Sequence, residues 1–532
     1  MTRMTGGEAL VQSLVRHGVE VVFGVPGYQL YHATDALHGE PNIRYITTRH
    51  EQAAAYMAYG YSRTGGGTGT AMVVPGPGLL NATAAIGTAY SASTSMLVVS
   101  GQIPREFQGF NRGELHEVDD QLDCVRPITK WAARIDDPRR IPDAVQEAFR
   151  HLSTGRPRPV EIEMPLDTLE EAADIDLPVP VQHPRQAPAR DSVAEAARLL
   201  AAARRPVIWA GGGVFSSRAS GQLERLAEYL QAPVVASYEG RGSISDRSYL
   251  SLGAPNLRRD RLDDFLDECD VVLAVGTRLA RTSFQRQTLV QIDVDPDEIG
   301  RNYQDNTVGV LGDAALTLDV LRAALEATGP ARPVRREEFE AIKAERSDPA
   351  NQIEPQGSFV QAIRAAMPDD GILVPDETQI GYYSRSFFPV YTPGTFVTSS
   401  YFGNLGYGFP TALGAKVAWP DRVVVSISGD GGFMFNVQEL ATAAMHRINV
   451  VAIVFNDNAF GNVMRSQIHQ FDGRVVGSEL ENPDFVKLGQ AFGVRSVRVH
   501  EPDELTAAIT DATAIEAPSL IEVPVEMMPD PL

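Results

Sequence analysis

The chain predicts an α/β protein of three consecutive doubly wound parallel-sheet domains, and three observations carry that prediction. Its 532 residues suffice for three or four domains at ~150 residues each. Short apolar runs ended by Gly or Pro alternate with helical patterns, as expected of buried parallel strands joined by crossover helices. Two proline-punctuated segments, 176–190 and 327–357, interrupt the alternation and read as linkers. The units so delimited are 1–177, 190–328 and 355–532.

Thr5 and Glu8 have the spacing of a capping box, Ala9, Leu10, Leu14 and Val15 share one helical face, and Gly18 stops the helix they predict. The strand VEVVFGV (19–25) follows, and TAMVVPGPG (70–78), SMLVVSG (95–101) and PVEIEMP (159–165) extend the first sheet. In the second unit a helix over 192–203 leads into PVIWAGGG (206–213), then APVVASY (232–238), DVVLAVG (270–276) and TLVQIDVD (288–295). Gly211, Gly212 and Gly213 there read as a tight strand-to-helix turn or as a nucleotide cradle, although their spacing is not GxGxxG. The third unit predicts strands in DGILVPD (370–376), GTFVTSS (394–400), RVVVSISGDGG (422–432), NVVAIVFND (449–457) and SLIEVPV (519–525).

Composition excludes several classes of function. The formal net charge is −21 and no basic stripe is present, which argues against nucleic acid as a partner. Hydrophobic residues at 43% and charged residues at 22% are the mix of a globular protein with sizeable cores. No stretch approaches the ~20 apolar residues of a membrane span and the N-terminus lacks a signal-peptide core, so a cytoplasmic protein is expected, with no membrane partner. Cys124 and Cys269 have no partner pattern and are expected to be buried.

The strongest chemical signal lies in residues 422–463, one predicted βαβ unit. A strand ending at Ser428 runs into Gly429, Asp430, Gly431 and Gly432, Asn436 and Glu439 have a second capping-box spacing, and a second strand ends before Asn456, Asp457 and Asn458. In a parallel sheet both turns fall on the same carboxyl edge, where such sheets bind ligands. Two adjacent carboxylates repel unless a hard cation lies between them, and Mg²⁺ suits a site of few carboxylates plus phosphate oxygens, with the glycine N–H groups facing the phosphates.

With this motif in view, the sequence resembles the thiamine diphosphate-dependent enzymes of the acetolactate synthase, benzoylformate decarboxylase and pyruvate decarboxylase family. It is most similar in overall pattern to the acetolactate synthase large subunit. The resemblance covers nearly the whole chain, through VVFGVPGYQLY (21–31), TTRHEQAAAYMAYGYSRTGG (47–66), the segment 75–104 and SSYFGNLGYGFPTALGAKVA (399–418). It implies pyrimidine-binding, central and diphosphate-binding domains in that order. It also implies thiamine diphosphate bound through Mg²⁺, with Asp430, the Asp457 side chain and the Ala459 carbonyl on the metal. Gly429, Gly431, Gly432, Asn456 and Gln379 are then cofactor-binding residues. Gly403 would offer its carbonyl to the aminopyrimidine, and Leu405 would prop the cofactor into its bent shape; otherwise Leu405 is a core leucine. Glu51 would be the catalytic glutamate, against the plainer reading of a first-turn carboxylate favoured by the helix dipole.

The implied reaction is decarboxylation of a 2-oxo acid and transfer of the remaining unit to a second carbonyl acceptor, as in acetolactate synthase. The alternative is nonoxidative decarboxylation to an aldehyde, as in benzoylformate decarboxylase. Active sites shared across a homodimer or homotetramer are implied as well. Leu115, His116 and Glu117 occupy the place of the synthase Phe-Gln-Glu, making His116 either a proton-transfer residue or a turn histidine. Tyr28 and Gln29 follow the PGY turn and are expected in the substrate pocket, and Glu377 adds a carboxylate that could repel an anionic substrate or act as an acid. Thr282 replaces the arginine that binds the second oxo acid, with Arg278 and Arg281 nearby, and this departure makes the structural FAD of the biosynthetic enzymes doubtful.

Overall fold

Thr5 accepts the Glu8 backbone N–H while the Glu8 carboxylate accepts that of Thr5, and this capping box opens helix α1, Gly6–Arg16. A computed structural model describes every residue except Leu257, Arg281, Ser283, Gln285, Gln304, Pro531 and Leu532; the arginine at 281 considered above therefore lies outside the described residues. After α1 come strand β1 (Val21–Gly24), strand β2 (Arg44–Thr47), helix α2 (Glu51–Arg63) and strand β3 (Gly69–Val73). Helix α3 (Pro77–Ser91) follows, then β4 (Met96–Gln102), β5 (Trp131–Arg134) and β6 (Pro159–Pro165). All six strands are parallel, in the order β2-β1-β3-β4-β6-β5. The chain leaves β1 in one direction and β3 in the other, so their carboxyl ends form a switch point, a crevice where open α/β sheets take ligands.

The segment 176–189 has no regular structure and leads to the second sheet. This comprises β7 (Pro206–Ala210), β8 (Val234–Ala236), β9 (Ser251–Gly253), β10 (Val271–Val275), β11 (Thr288–Asp293) and β12 (Thr307–Leu311), ordered β9-β8-β7-β10-β11-β12. The third sheet has β13 (Ile372–Pro375), β14 (Val424–Gly429), β15 (Val451–Asn456), β16 (Arg495–Arg498) and β17 (Ser519–Pro524), ordered β13-β14-β15-β17-β16. Of the strands that sequence missed, those at 44–47, 131–134, 251–253, 307–311 and 495–498 are sheet edges, and Thr2–Thr5 and Ala172–Ile175 pair antiparallel in a separate two-stranded sheet. An edge strand is buried on fewer sides and carries a weaker apolar run.

Three expectations are corrected. Residues 394–400 form no strand: Phe396 makes a single bridge to Leu373, and the next residues turn toward the first domain, where Tyr59 donates to the Thr398 carbonyl and Ser91 to that of Ser399. Asn436 is not a helix cap, because its amide donates to the Gly406 carbonyl and the helix starts three residues later, at Glu439. Cys124 is exposed, since only Gln121 and Val125 of its short surface helix face inward, whereas Cys269 is buried.

The first and third domains share one hydrophobic core. Helix α2 crosses α5 (Gly408–Ala418, which follows α4, Gln379–Phe387) at backbone contact. A Cβ on Gly60 would lie 2.0 Å from the Thr411 carbonyl oxygen, and one on Gly414 would lie 1.9 Å from that of Met57. Only glycine permits that approach. Tyr56, Tyr59, Tyr407 and Leu413 fill the space around the crossing.

Candidate active site

Two clusters of polar groups sit at carboxyl edges of the outer sheets. The first is built on the β1/β3 switch point. Glu51 is the first residue of α2, where the N-terminal dipole favours a carboxylate, and its Oε2 accepts a 3.0 Å hydrogen bond from Asn81 of α3. Gly78 lies alongside, close-packed on Val74, whose Cγ2 a Cβ there would meet at 2.6 Å, with Glu51 Oε1 at 3.7 Å. Gln29 follows β1 and is buried; its Nε2 donates to the Leu115 carbonyl at 2.9 Å, and its Oε1 lies 3.0 Å from His116 Nδ1. The His116 carbonyl packs on Gly76, which donates its N–H to Gln121 Oε1 at 2.7 Å. Tyr28 and Tyr31 stack edge to face at 5.7 Å on the rim and remain exposed. The structure thus brings Tyr28, Gln29, His116 and Glu51 to one edge.

The second cluster is the β14/β15 edge. Asp430 opens the single helical turn α6 (Asp430–Phe433), followed by α7 (Glu439–His446) and, beyond β15, by α8 (Gly461–Gln470). Asp430 is buried, and burial raises its carboxyl above the ordinary range. Burial followed by the charge of Asp430 pushes Asp457 up to about 6. The amide of Asn482 donates to Asp430 Oδ2 at 2.6 Å, Asn456 Oδ1 at 3.1 Å and Asn458 Oδ1 at 3.3 Å. Three oxygens therefore meet at the Asn482 amide, and beside them the Asp430 and Asp457 carboxyls repel each other, an oxygen-rich edge that fits a hard cation. The strand bonds Phe460 N–H to Ser478 and Leu480 N–H to Asn458 bypass the Ala459 carbonyl. A Cβ on Gly431 would strike the Phe460 ring at 2.4 Å, so the turn tolerates no side chain there.

Buried partners fix the orientation of this cluster. Glu522 on β17 accepts the Asn456 amide at 2.9 Å and pairs with Arg498 at 2.8 Å. A carboxylate accepts only, so the Asn456 amide nitrogen must face Glu522 and its oxygen the Asn482 amide. Gln379 is held the same way: Arg465 donates to its Oε1 at 3.2 and 3.3 Å. Glu377 forms a buried ion pair with Arg385 and accepts from Ser399 at 2.6 Å, which engages its carboxylate within the domain. Gly403 is exposed at φ +61° and Leu405 is half-buried between Asn404 and Gly406. Asn482, Asn81, Arg465 and Glu522 were not found from sequence. Of these only Glu522 carried a signal, a charge inside an otherwise apolar strand.

Glu51 bonds within the first domain and Asp430 within the third. The domains meet beside Glu51, where the Glu439 carboxylate, raised to about 7 by burial, accepts the Arg49 N–H at 3.1 Å. A separate cavity of about 1520 Å³ lies at the β7/β10 switch point, lined by Gly211–Gly213, Thr277, Arg156, Arg158 and Arg278. Gly211 and Gly213 are required by the turn itself, since their Cβ atoms would lie 2.2 Å from the Gly276 carbonyl oxygen and 2.6 Å from its Cα. Thr282 Oγ1 lies 2.7 Å from the Tyr303 hydroxyl, and Arg278 stacks over Tyr401 at 4.3 Å. Among the described residues no helix is long and apolar enough to cross a membrane.

Comparison with known proteins covers all three domains. Residues 4–124 match the N-terminal TPP binding domain of thiamine pyrophosphate enzymes, 193–321 their central domain and 378–523 their C-terminal TPP binding domain. The chain is 34% identical to a probable acetolactate synthase large subunit of Methanocaldococcus jannaschii, with 99% of this chain and 93% of that protein covered. It is 35% identical to a probable 2-ketoarginine decarboxylase of Pseudomonas aeruginosa, covering 98% and 94%. With acetolactate synthase isozyme 3 large subunit of Escherichia coli it shares 30% identity, covering 96% and 92%.

Proposed function

The chain belongs to the thiamine pyrophosphate enzymes, within the acetolactate synthase family, and on that footing we propose that it is a Mg²⁺-dependent carboligase, splitting CO₂ from a 2-oxo acid and transferring the remaining unit to a second carbonyl. The observation that carries the proposal is the meeting of the Asp430 and Asp457 carboxyls at the β14/β15 edge, beside the glycine-rich turn 429–432, in the domain matched to TPP binding. When bound, thiamine diphosphate supplies the electron sink that lets CO₂ leave. Asp430, Asp457 and the Ala459 carbonyl would hold the magnesium, and the Gly429–Gly432 turn would present N–H groups to the diphosphate. Gln379 and Gly403 would orient the ring, Leu405 would support it, and Glu51 would hold a proton against its nitrogen. Because Glu51 and Asp430 belong to separate clusters, we assign each complete site to two copies of the chain. Tyr28, Leu80 and Leu115 on one edge and Phe435, Val463 and Phe471 on the other are exposed apolar groups that such a partner would cover.

A second reading, nonoxidative decarboxylation to an aldehyde, is favoured by the His116–Gln29 pair, which places a proton-transfer group at the substrate edge, and by similarity to the probable 2-ketoarginine decarboxylase. NMR analysis of products from pyruvate, benzoylformate and 2-ketoarginine, with Mg²⁺ and thiamine diphosphate and with or without added aldehyde, separates the two. Hydroxyketones such as acetolactate are expected. Aldehyde alone establishes the second reading, and consumption of none of the acids rejects both.

A further inference from the structure

Gln29 sits 1% exposed between two partners that leave its amide no choice of orientation. Its nitrogen donates to the Leu115 carbonyl, which only accepts, so its oxygen is the atom turned to His116 Nδ1. An amide oxygen only accepts as well, so Nδ1 carries the hydrogen. We infer that Gln29 is a positioning residue that sets His116 in the Nδ1–H tautomer and makes Nε2 the proton-exchanging atom of the site. The backbone is fixed to match. His116 has φ +69°, in the left-handed region unusual for a residue with a side chain, and its carbonyl packs where a Gly76 Cβ would lie 2.5 Å away. The loop that begins at Gly76 runs into α3, whose Asn81 holds Glu51, so His116 and Glu51 are presented from one frame.

The chemical consequence rests on the 2-oxo acid reading above; the tautomer rests on geometry alone. Conversion of a 2-oxo acid anion to aldehyde and CO₂ breaks the bond to the carboxylate, forms a C–H bond and consumes one proton. Carboligation forms a C–C bond instead and consumes its proton at the acceptor's carbonyl oxygen. Nε2–H of the imidazolium delivers the proton in either case and regains it from water, while the other hydrogen stays on Nδ1, bonded to Gln29 Oε1.

The test is a ¹⁵N spectrum of the full chain labelled in histidine, with His116 assigned by its loss in His116→Asn. In the neutral ring, His116 is expected to show an unprotonated Nε2. Gln29→Met, similar in shape but without the amide, is expected to give a mixture of tautomers and to lower kcat about a hundredfold. KM should stay within about twofold. Gln29→Glu, which keeps an acceptor on Nδ1, is expected to restore the Nδ1–H form and part of kcat. An Nε2–H ring in the wild type, or a Gln29→Met protein with unchanged tautomer and kcat, overturns the inference. A wild type that consumes no 2-oxo acid overturns the reaction reading and the proton delivery with it, while the spectrum still decides the tautomer.

Discussion

At the scale of single residues, the two clusters divide the work by the chemistry of their side chains. Glu51 accepts from Asn81, and Glu51→Gln keeps the size and hydrogen-bonding reach of the side chain while removing its carboxyl. It is expected to retain thiamine diphosphate and Mg²⁺ binding, measured by calorimetry, and to lose about two to four orders of magnitude in turnover. Turnover equal to wild type would end the assigned role of Glu51. Asp430→Ala removes a carboxyl from the convergent oxygens and is expected to abolish Mg²⁺-dependent cofactor binding itself. Glu522→Leu leaves the Asn456 amide without the group that orients it. It is expected to weaken cofactor affinity about 10- to 100-fold while kcat at saturating cofactor changes less.

At the scale of elements, helix α2 carries Glu51 and is seated on α5 through two glycines. A methyl group at 414 meets the Met57 carbonyl at 1.9 Å, and neither backbone can yield without separating the helices. Gly414→Ala is expected to cost roughly 3 kcal/mol, read as a lower Tm, and to reduce activity by displacing Glu51. An unchanged Tm would show that the crossing is not tight. Glu439, at the start of α7, gives the contact with Arg49, just before α2, a pH dependence. Its folded pKa is raised to about 7 by burial, so the native state keeps a proton that the unfolded chain releases. Stability from this group therefore falls as pH rises from the ordinary carboxylate range through about 7. Glu439→Gln removes that charge, so its Tm relative to wild type is expected to be higher at pH 7.5 than at pH 5; the reverse order would contradict the buried-charge assignment.

At the scale of the whole molecule, the shared core of the first and third domains makes a rigid frame whose two functional edges each expose apolar side chains. A closed two-fold assembly would cover both edges at once and join each Glu51 to the Asp430 of the other copy. Mixing inactive Glu51→Gln with inactive Asp430→Ala after subunit exchange is then expected to restore activity, because each heterodimer contains one intact pair. No recovery would place the complete site within a single chain.

Buried strands were legible in the sequence because burial on both faces leaves continuous apolar runs such as those at 96–99, 271–275 and 451–455. The Asp430 and Asp457 turns were legible because a βαβ unit fixes its loops at one edge through local chain geometry. Edge strands, the irregular course of 394–400 and the exposure of Cys124 were decided by which neighbours arrive from elsewhere in the chain. The same is true of Asn482 on Asp430, 52 residues away, of Glu522 on Asn456, 66 away, and of Gln29 on His116, 87 away. Local order in the chain was enough for the central strands, the two aspartate turns and the chemical types of the site. Tertiary structure alone chose the partners and orientations of those groups, because hydrogen bonds act over about 3 Å in space and leave no period in the order of residues.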